Sequence, residues 1–389
     1  MRLTFRCYPR ARQQRVLGRT FGCVRHVYNR ALELRKDSYA KDKTKVSYGQ
    51  TSAALTGWKK EPGCLWLNEV SCVPLQQCLR HLQTAYRNFF EKRAAYPRFK
   101  SKRGKQSAEF TRSAFTWDGK QRNLRLAKIG RLRIRWSKQF QSEPTTVTIN
   151  KDCAGRYFVS LCLDETVAAY PKRGKHVGID LGITHLATLS TGERIANPRH
   201  LAGKLAKLAK LQRIFARRNK GSGRWHRQRL KVARLHSRVA DGRKDSLAKL
   251  TTDLVRRFDV ICIEDLGVRS MTRNRKLARG ISDAGMHSFR RTLTYKCAWH
   301  DRELRVVDRF LPSSKRCSNC GYVAEALALD VRNWTCLQCG AVHDRDENAA
   351  RNILAAGPVA PARGGSVRPM AAKAAVGCAR RSVNRPALP

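Results

Sequence analysis

The sequence predicts a multidomain α/β protein: a small β-barrel interrupted by a helical insert, then an alternating strand-and-helix region carrying a thiolate-clamped ribbon. Three observations predict it. Apolar residues recur at steps of three and four before about residue 105, and the period then switches to two from Phe110 to Leu163. Two apolar runs, His176-Val-Gly-Ile-Asp-Leu-Gly-Ile183 and Asp259-Val-Ile-Cys-Ile-Glu-Asp-Leu266, read as buried strands with helical sequence between them. Near the end stand two Cys-x-x-Cys knuckles, Cys317-Ser-Asn-Cys320-Gly and Cys336-Leu-Gln-Cys339-Gly. A chain of 389 residues exceeds one ordinary core, so several domains are expected.

Taken in order, Leu3 to Tyr8 alternates as a short strand ended by Pro9. Leu17, Phe21, Val24, Tyr28 and Ala31 form one apolar helix face, followed by a polar stretch from Asp37 to Lys45. Leu75, Leu79, Leu82, Tyr86 and Phe89 repeat the spacing, with Pro74 suited to a first helical turn. These aromatics read as core. Arg25, Arg30 and Arg80 (with Arg19 and Arg87) lie on the opposite faces and are candidates for phosphate contact. Tyr96 to Lys105 is a dense basic run holding Arg98, Lys100, Lys102 and Arg103 with two aromatics, a composition that suits phosphates and unpaired bases.

Thr145–Asn150 and Arg156–Leu163 are expected strands around a turn at Asp152–Gly155, and Ile129–Trp136 adds another. After the strand at 176–183, Leu186–Ser190 and Arg194–Ile195 form a hairpin. Gly178 and Gly182 flank Asp180, so backbone or ligand can approach closely. Leu201–Val239 reads as a basic helical hairpin broken at Asn219–Gly223, and a second helix runs from about Ser246 to Phe258. Val268–Gly285 is polar, basic and Gly-containing, hence a mobile loop. Phe289, Leu293 and Trp299 share a helix, Leu304–Leu311 is the last strand, and the Ala, Pro, Gly and Arg after Ala355 read as a disordered basic tail.

Lys and Arg exceed Asp and Glu to a formal net charge of +51 at pH 7. That excess opposes compaction unless a polyanion neutralises it. Its spread over the whole chain points to long nucleic acid touching several domains. No stretch reaches spanning length and no acylation signal is present, so no membrane partner is expected. The first residues have no apolar signal core, and the remaining scattered cysteines fit free thiols, so the expected location is cytoplasmic and nucleoid-associated.

Four knuckle thiolates, Cys317, Cys320, Cys336 and Cys339, make a closed tetrahedral site for structural Zn²⁺, with Gly321 and Gly340 permitting each tight turn. With four cysteines present, His343 reads as a neighbour. Three acids stand out by position: Asp180 inside one buried strand, Glu264 at the end of another, and Asp346 opening a helix. A lone carboxylate in an apolar strand carries an unmet desolvation cost, which three acids converging on Mg²⁺ would not. Two such ions about 4 Å apart can activate water and stabilise a leaving oxygen in phosphodiester hydrolysis. Each acid also has a plain role: Asp180 capping a turn, Glu264 pairing with an arginine, Asp346 capping its helix.

Val177-Gly-Ile-Asp-Leu-Gly-Ile183, Ile263-Glu-Asp-Leu266, Phe310-Leu-Pro-Ser-Ser-Lys-Arg-Cys-Ser-Asn-Cys-Gly321 and His343-Asp-Arg-Asp-Glu-Asn-Ala-Ala-Arg-Asn-Ile353 resemble the transposon-encoded TnpB family. That family is also called OrfB transposase and is related to type V CRISPR effectors. Thr20–Arg30 and Tyr96–Lys100 match its helical and linker segments, and the resemblance covers about residues 1 to 356. It implies an RNA-guided DNA endonuclease, with a ribonuclease H-like RuvC domain interrupted by a zinc ribbon. Asp180, Glu264 and Asp346 would be its metal-binding catalytic acids, Asp346 rather than Asp344 because it stands two before Asn348.

On this reading a wedge β-barrel occupies 1–9 and 106–172, and a helical recognition domain 10–105. The nuclease domain takes 173–311 and 341–356, the ribbon 312–340, and the basic tail 357–389. The partners would be a guide RNA encoded near its own gene and a double-stranded DNA target read beside a short flanking motif. Gln76 and Gln77 are candidates for that motif, Val268–Gly285 for a lid, and Met286 departs from an expected aromatic. A non-cleaving regulator or accessory protein of transposition is the alternative, and a cut-and-paste transposase a further one.

Overall fold

A computed structural model describes residues 1–102, 104–328 and 330–357. Arg103 and nearly all of the expected basic tail therefore lie outside the described residues. The chain divides into two compact units, Met1–Thr166 with Ala206–Arg238, and Val167–Leu205 with the residues from Val239 onward. The boundary differs from the expected one, because residues 206–238 belong with the first unit and not with the acid-bearing strands.

The first unit begins with β1 (Arg2–Cys7), α1 (Ala11–Asp42), α2 (Tyr48–Trp58), a 3₁₀ turn at Pro62–Glu69, and α3 (Cys72–Phe90). Helix α1 runs into the polar stretch expected to follow it, as far as Asp42. Just before that stretch Arg35 anchors the helix: it donates to Gln83 Oε1 at 2.7 Å and lies over the Tyr86 ring. Helix α2 was not anticipated, although Ser47 and Gln50 form a capping box at its start.

Strands β2 (Gln106–Thr111), β3 (Phe115–Asp118), β4 (Asn123–Leu126), β5 (Gly130–Arg131), β6 (Ile134–Arg135), β7 (Pro144–Lys151) and β8 (Tyr157–Leu163) follow. An antiparallel sheet orders them β2-β7-β8-β1-β6, and β3-β4-β5 form a second sheet. Among the described residues no ladder joins β2 to β6, so the expected barrel is an open sheet. Phe5, Phe110 and Ile149 of the sheet share one core with Leu17, Leu75, Leu79 and Leu82 of the helices. The helical insert thus has no separate core of its own. Helix α4 (Leu205–Ala216) and the start of α5 (Gly223–Arg257) complete the unit. Helix α5 is continuous where a break before Ser246 was expected, because Leu235, Val239, Leu247 and Leu254 keep one buried stripe through that point.

In the second unit β9 (His176–Asp180), β10 (His185–Leu189), β11 (Arg194–Ala196), β12 (Val260–Glu264) and β13 (Glu303–Val307) make a sheet ordered β11-β10-β9-β12-β13. Strands β9, β12 and β13 run parallel, and β10 and β11 fold back antiparallel. The expected mobile loop holds two short helices, α6 (Val268–Met271) and α7 (Ala278–Ala284). Asp283 anchors it, accepting from Leu201 N at 2.9 Å and pairing with Arg243 at 2.8 Å. Helix α8 (Met286–Trp299) buries Met286 beside Phe289. Strand β13 stops at Val307, short of the expected Leu311, where Asp308 accepts the Phe310 amide at 2.7 Å and turns the chain. The ribbon pairs β14 (Asn333–Thr335) with β15 (Val342–Asp344), and α9 (Arg345–Ala356) follows.

Candidate active site

Asp180 and Glu264 end the parallel strands β9 and β12, whose register runs from Val260–His176 to Ile263–Ile179. One step further on both strands puts the two carboxylates at the same end of the sheet and, by alternation, on one face. Gly178 lies on that face, and α9 packs there. A methyl on Gly178 would stand 2.1 Å from the Ala350 carbonyl oxygen and 2.6 Å from the Leu354 nitrogen. Glycine therefore lets the helix backbone down onto the strand; the close approach anticipated around Asp180 is made by protein. Asp346 lies one turn before Ala350, which carries it to the end of the sheet where the other acids sit.

Burial pushes the Asp180 carboxyl up to about 7, and the charges of Glu264 and then Asp346 push it the same way. Arg345 and a backbone hydrogen bond at Leu181 oppose the rise. Burial raises Glu264 too, against a hydrogen bond from Ser313, whose Oγ donates to Glu264 Oε1 at 2.5 Å. The plain roles fall to neighbouring acids. Asp344 caps α9, accepting from Glu347 N at 3.0 Å, and pairs with Arg194 at 2.9 Å. Asp265, not Glu264, takes two arginines, Arg290 and Arg309. Asp346 has Arg332 of the ribbon 3.4 Å away. Half-buried carboxylates that repel one another and lack full compensation suit a divalent cation of oxygen preference such as Mg²⁺.

Among the described residues, Cys317, Cys320, Cys336 and Cys339 form the one group of potential ligands all within 4.8 Å of one another. The three carboxylates are more widely spread, Glu264 toward Ser313 and Asp346 toward Arg332. Cys317 and Cys339 sulfurs are 3.7 Å apart, and those of Cys320 and Cys336 3.6 Å. A tetrahedron with bonds of about 2.3 Å has edges of about 3.8 Å, so the thiols fit zinc. Gly321 (φ 83°) and Gly340 (φ 67°) take the left-handed turn that closes each knuckle. His343 is a neighbour, its Nε2 3.0 Å from Cys317 Sγ.

Sequence reasoning passed over the residues that tie the ribbon to the acids. Asn348 donates to Arg316 O at 2.7 Å and accepts from Ser318 N at 2.9 Å. Asn352 donates to Ser313 O at 2.8 Å and Arg316 O at 2.6 Å. Both amides are buried on α9 beside Ala349 and Ile353. Two asparagines four apart on an otherwise apolar helix face were the available signal. Ser313 and Arg332 left none, since only the fold brings them to the acids.

The nucleic-acid candidates separate in the first unit. Gln76 is exposed but Gln77 is buried, the hundred-degree turn between neighbours on α3 placing it inward; it is not available to read a flanking motif. Arg30 is held bidentate by Glu61 at 2.6 and 2.9 Å and lies over Trp58. Lys100 sits 3.8 Å above the Tyr28 ring, so both read as structural. Arg80 leans on Tyr48, while Arg98 and Lys102 are exposed. Arg25 lines a groove with Lys102.

Three family models match this chain: an OrfB-type "Probable transposase" over residues 160–275, a "Cas12f1-like, TNB domain" over 287–353, and a "Helix-turn-helix domain" over 1–44. A Streptomyces pristinaespiralis protein named "Putative RNA-guided DNA endonuclease" is 56% identical, covering 94% of this chain and 91% of that protein. InsQ of Escherichia coli K12, of the same printed name, is 34% identical over 91% of each. The fold is similar to that in a solved Cas12f1–sgRNA–target DNA complex, with a TM-score of 0.54 at 13% identity, covering 86% of this chain and 81% of that one. No described helix is long and apolar enough to cross a membrane.

Proposed function

We propose that this chain, which belongs to the OrfB/TnpB family of transposon-associated proteins, is an RNA-guided DNA endonuclease whose RuvC-like unit cuts its target by metal-dependent phosphodiester hydrolysis. The observation that carries the proposal is the meeting of Asp180, Glu264 and Asp346 from β9, β12 and α9 at one end of one sheet. That strand order, with its acids on two parallel strands and a helix, supports a ribonuclease H-like nuclease with a ribbon inserted before the last acid.

Asp180, Glu264 and Asp346 would hold the catalytic cations. Divalent ions bound there supply an activated water and charge stabilisation for the leaving oxygen. The protein's own share is positioning. Ser313 holds the Glu264 carboxylate in one orientation. Gly178 lets α9 approach, and so sets how far Asp346 stands from Asp180. Arg332 carries positive charge to the same place from the ribbon, where a scissile phosphate would need it. Zinc on the four cysteines would lock the first knuckle, whose Ser318 amide Asn348 holds and whose preceding Arg316 carbonyl both Asn348 and Asn352 hold.

The test begins with protein purified from cells carrying the native locus, followed by sequencing of the RNA that copurifies. Asp180→Ala is expected to abolish cleavage of a matching duplex while guide and target binding persist. Cleavage by the variant at the native rate would remove Asp180 from the mechanism. Recovery of no discrete RNA would return the protein to generic DNA binding.

A further inference from the structure

We propose that a groove in the first unit seats an unpaired segment of the guide RNA, with Trp225 as its stacking platform. This rests on the RNA-guided reading and deepens it. The groove, about 1070 Å³, lies between α1, Lys102 and Gln106, the β7–β8 turn and the α4–α5 turn. Arg25, Lys102, Lys151, Lys220 and Arg229 line it, and none of the five forms an ion pair within the described residues. The acid on its wall, Asp152, is already taken by Arg156, at 2.7 Å through the side chain and 2.8 Å through the backbone amide.

Elsewhere in the unit arginines meet acids, as Arg19 does Glu69 and Arg30 does Glu61. Here the charge is left uncompensated in a hollow, where a low-dielectric wall focuses its field on whatever enters. The occupant is a polyanion. Trp225 narrows the choice. It is half-buried, braced by the Phe215 ring at 5.1 Å and with Arg229 5.6 Å from its centroid. A fixed ring among cations is what single strands use, since a duplex keeps its base faces inside and would leave the indole idle. The groove belongs to the unit that does not carry the acids, which suits a strand that is kept and not cut. Residues 217–229, expected in the nuclease domain, would then be part of the guide holder.

The experiment uses the full chain and the RNA that copurifies with it, with single-stranded DNA of the same sequence as the comparison. Affinity is measured across salt concentrations for the native protein, Trp225→Ala, Trp225→Phe and the double variant Lys151→Ala/Arg229→Ala. Trp225→Ala should weaken RNA binding about 5- to 100-fold and Trp225→Phe should restore most of it. The double variant, which removes no core residue, should lower the slope of log affinity against log salt by about 1.4. An ultraviolet crosslink from Trp225 to the RNA, located by mass spectrometry, is expected to persist in the double charge variant and to be lost with the indole.

Equal RNA affinity and slope in all variants would overturn the groove and leave the guided reading intact. A loss confined to single-stranded DNA would make it a DNA site and overturn it equally. Failure to recover any discrete RNA would instead remove the guided reading on which the inference stands.

Discussion

At the scale of single residues, Asp180 and Gly178 carry the most. Folding raises Asp180 from an ordinary 3.8 to about 7, so the folded protein holds that proton longer than the unfolded chain does. The group costs nothing below about pH 3.8, destabilises progressively above it, and reaches its full cost past about pH 7. Asp180→Asn stays neutral, so the cation-free variant is expected to melt higher at pH 8, by about 2–4 °C for each kcal/mol relieved. The difference should close toward pH 4, and Mg²⁺ should raise the melting temperature of the native protein and leave the variant where it was. A gap of constant size across the pH range would refute the burial account. Gly178→Ala asks a methyl to occupy the place of the Ala350 carbonyl. We expect loss of more than about 2 kcal/mol of stability together with cleavage, while zinc content by emission spectroscopy stays unchanged, as α9 is lifted from the strand.

At the scale of elements, α9 joins three things: the sheet through Gly178, the ribbon through Asn348 and Asn352, and the acid site through Asp346. Asn352→Ala leaves the Ser313 and Arg316 carbonyls without that donor, a loss of about 1–3 kcal/mol. Because Ser313 also holds Glu264, cleavage should slow with KM for the target little altered. Native-like rates in Asn352→Ala would mean that the ribbon does not position the acids. Stripping the thiolate ion with a chelator should release four titratable thiols and raise hydrogen exchange through Cys317–Leu354, with the sheet of the first unit unaffected. Elements also mark how far the chain could be read. The strands carrying Asp180 and Glu264 are legible because an apolar run with one acid is a local pattern, although Asp180 ends its strand where the sequence reading puts it inside one. Helix α5 was not, since its continuity past Ala240 depends on a buried stripe whose partners lie far away in sequence. The short helix α7 escaped for the same reason: Asp283 holds it through Leu201 and Arg243.

At the scale of the whole molecule, the net charge of +51 makes association with nucleic acid a matter of ion release. If guide RNA is the counter-charge, the RNA-free protein should melt lower at low ionic strength and recover as salt is added, while the RNA-bound form should show the opposite trend. Parallel salt trends for the two forms would deny the RNA that role. The four knuckle thiols, the three candidate acids and the basic character are legible in the sequence alone, because residue type, knuckle spacing, apolar runs and charge are properties of neighbouring residues. Only the tertiary structure decided that Asp344 and Asp265 serve as cap and ion-pair partner beside the acids, that Gln77 turns inward while Lys100 and Arg30 are held by Tyr28 and by Glu61, and that residues 206–238 join the first unit. Those outcomes depend on which distant side chains arrive at the same place, and packing between elements settles that, not spacing along the chain.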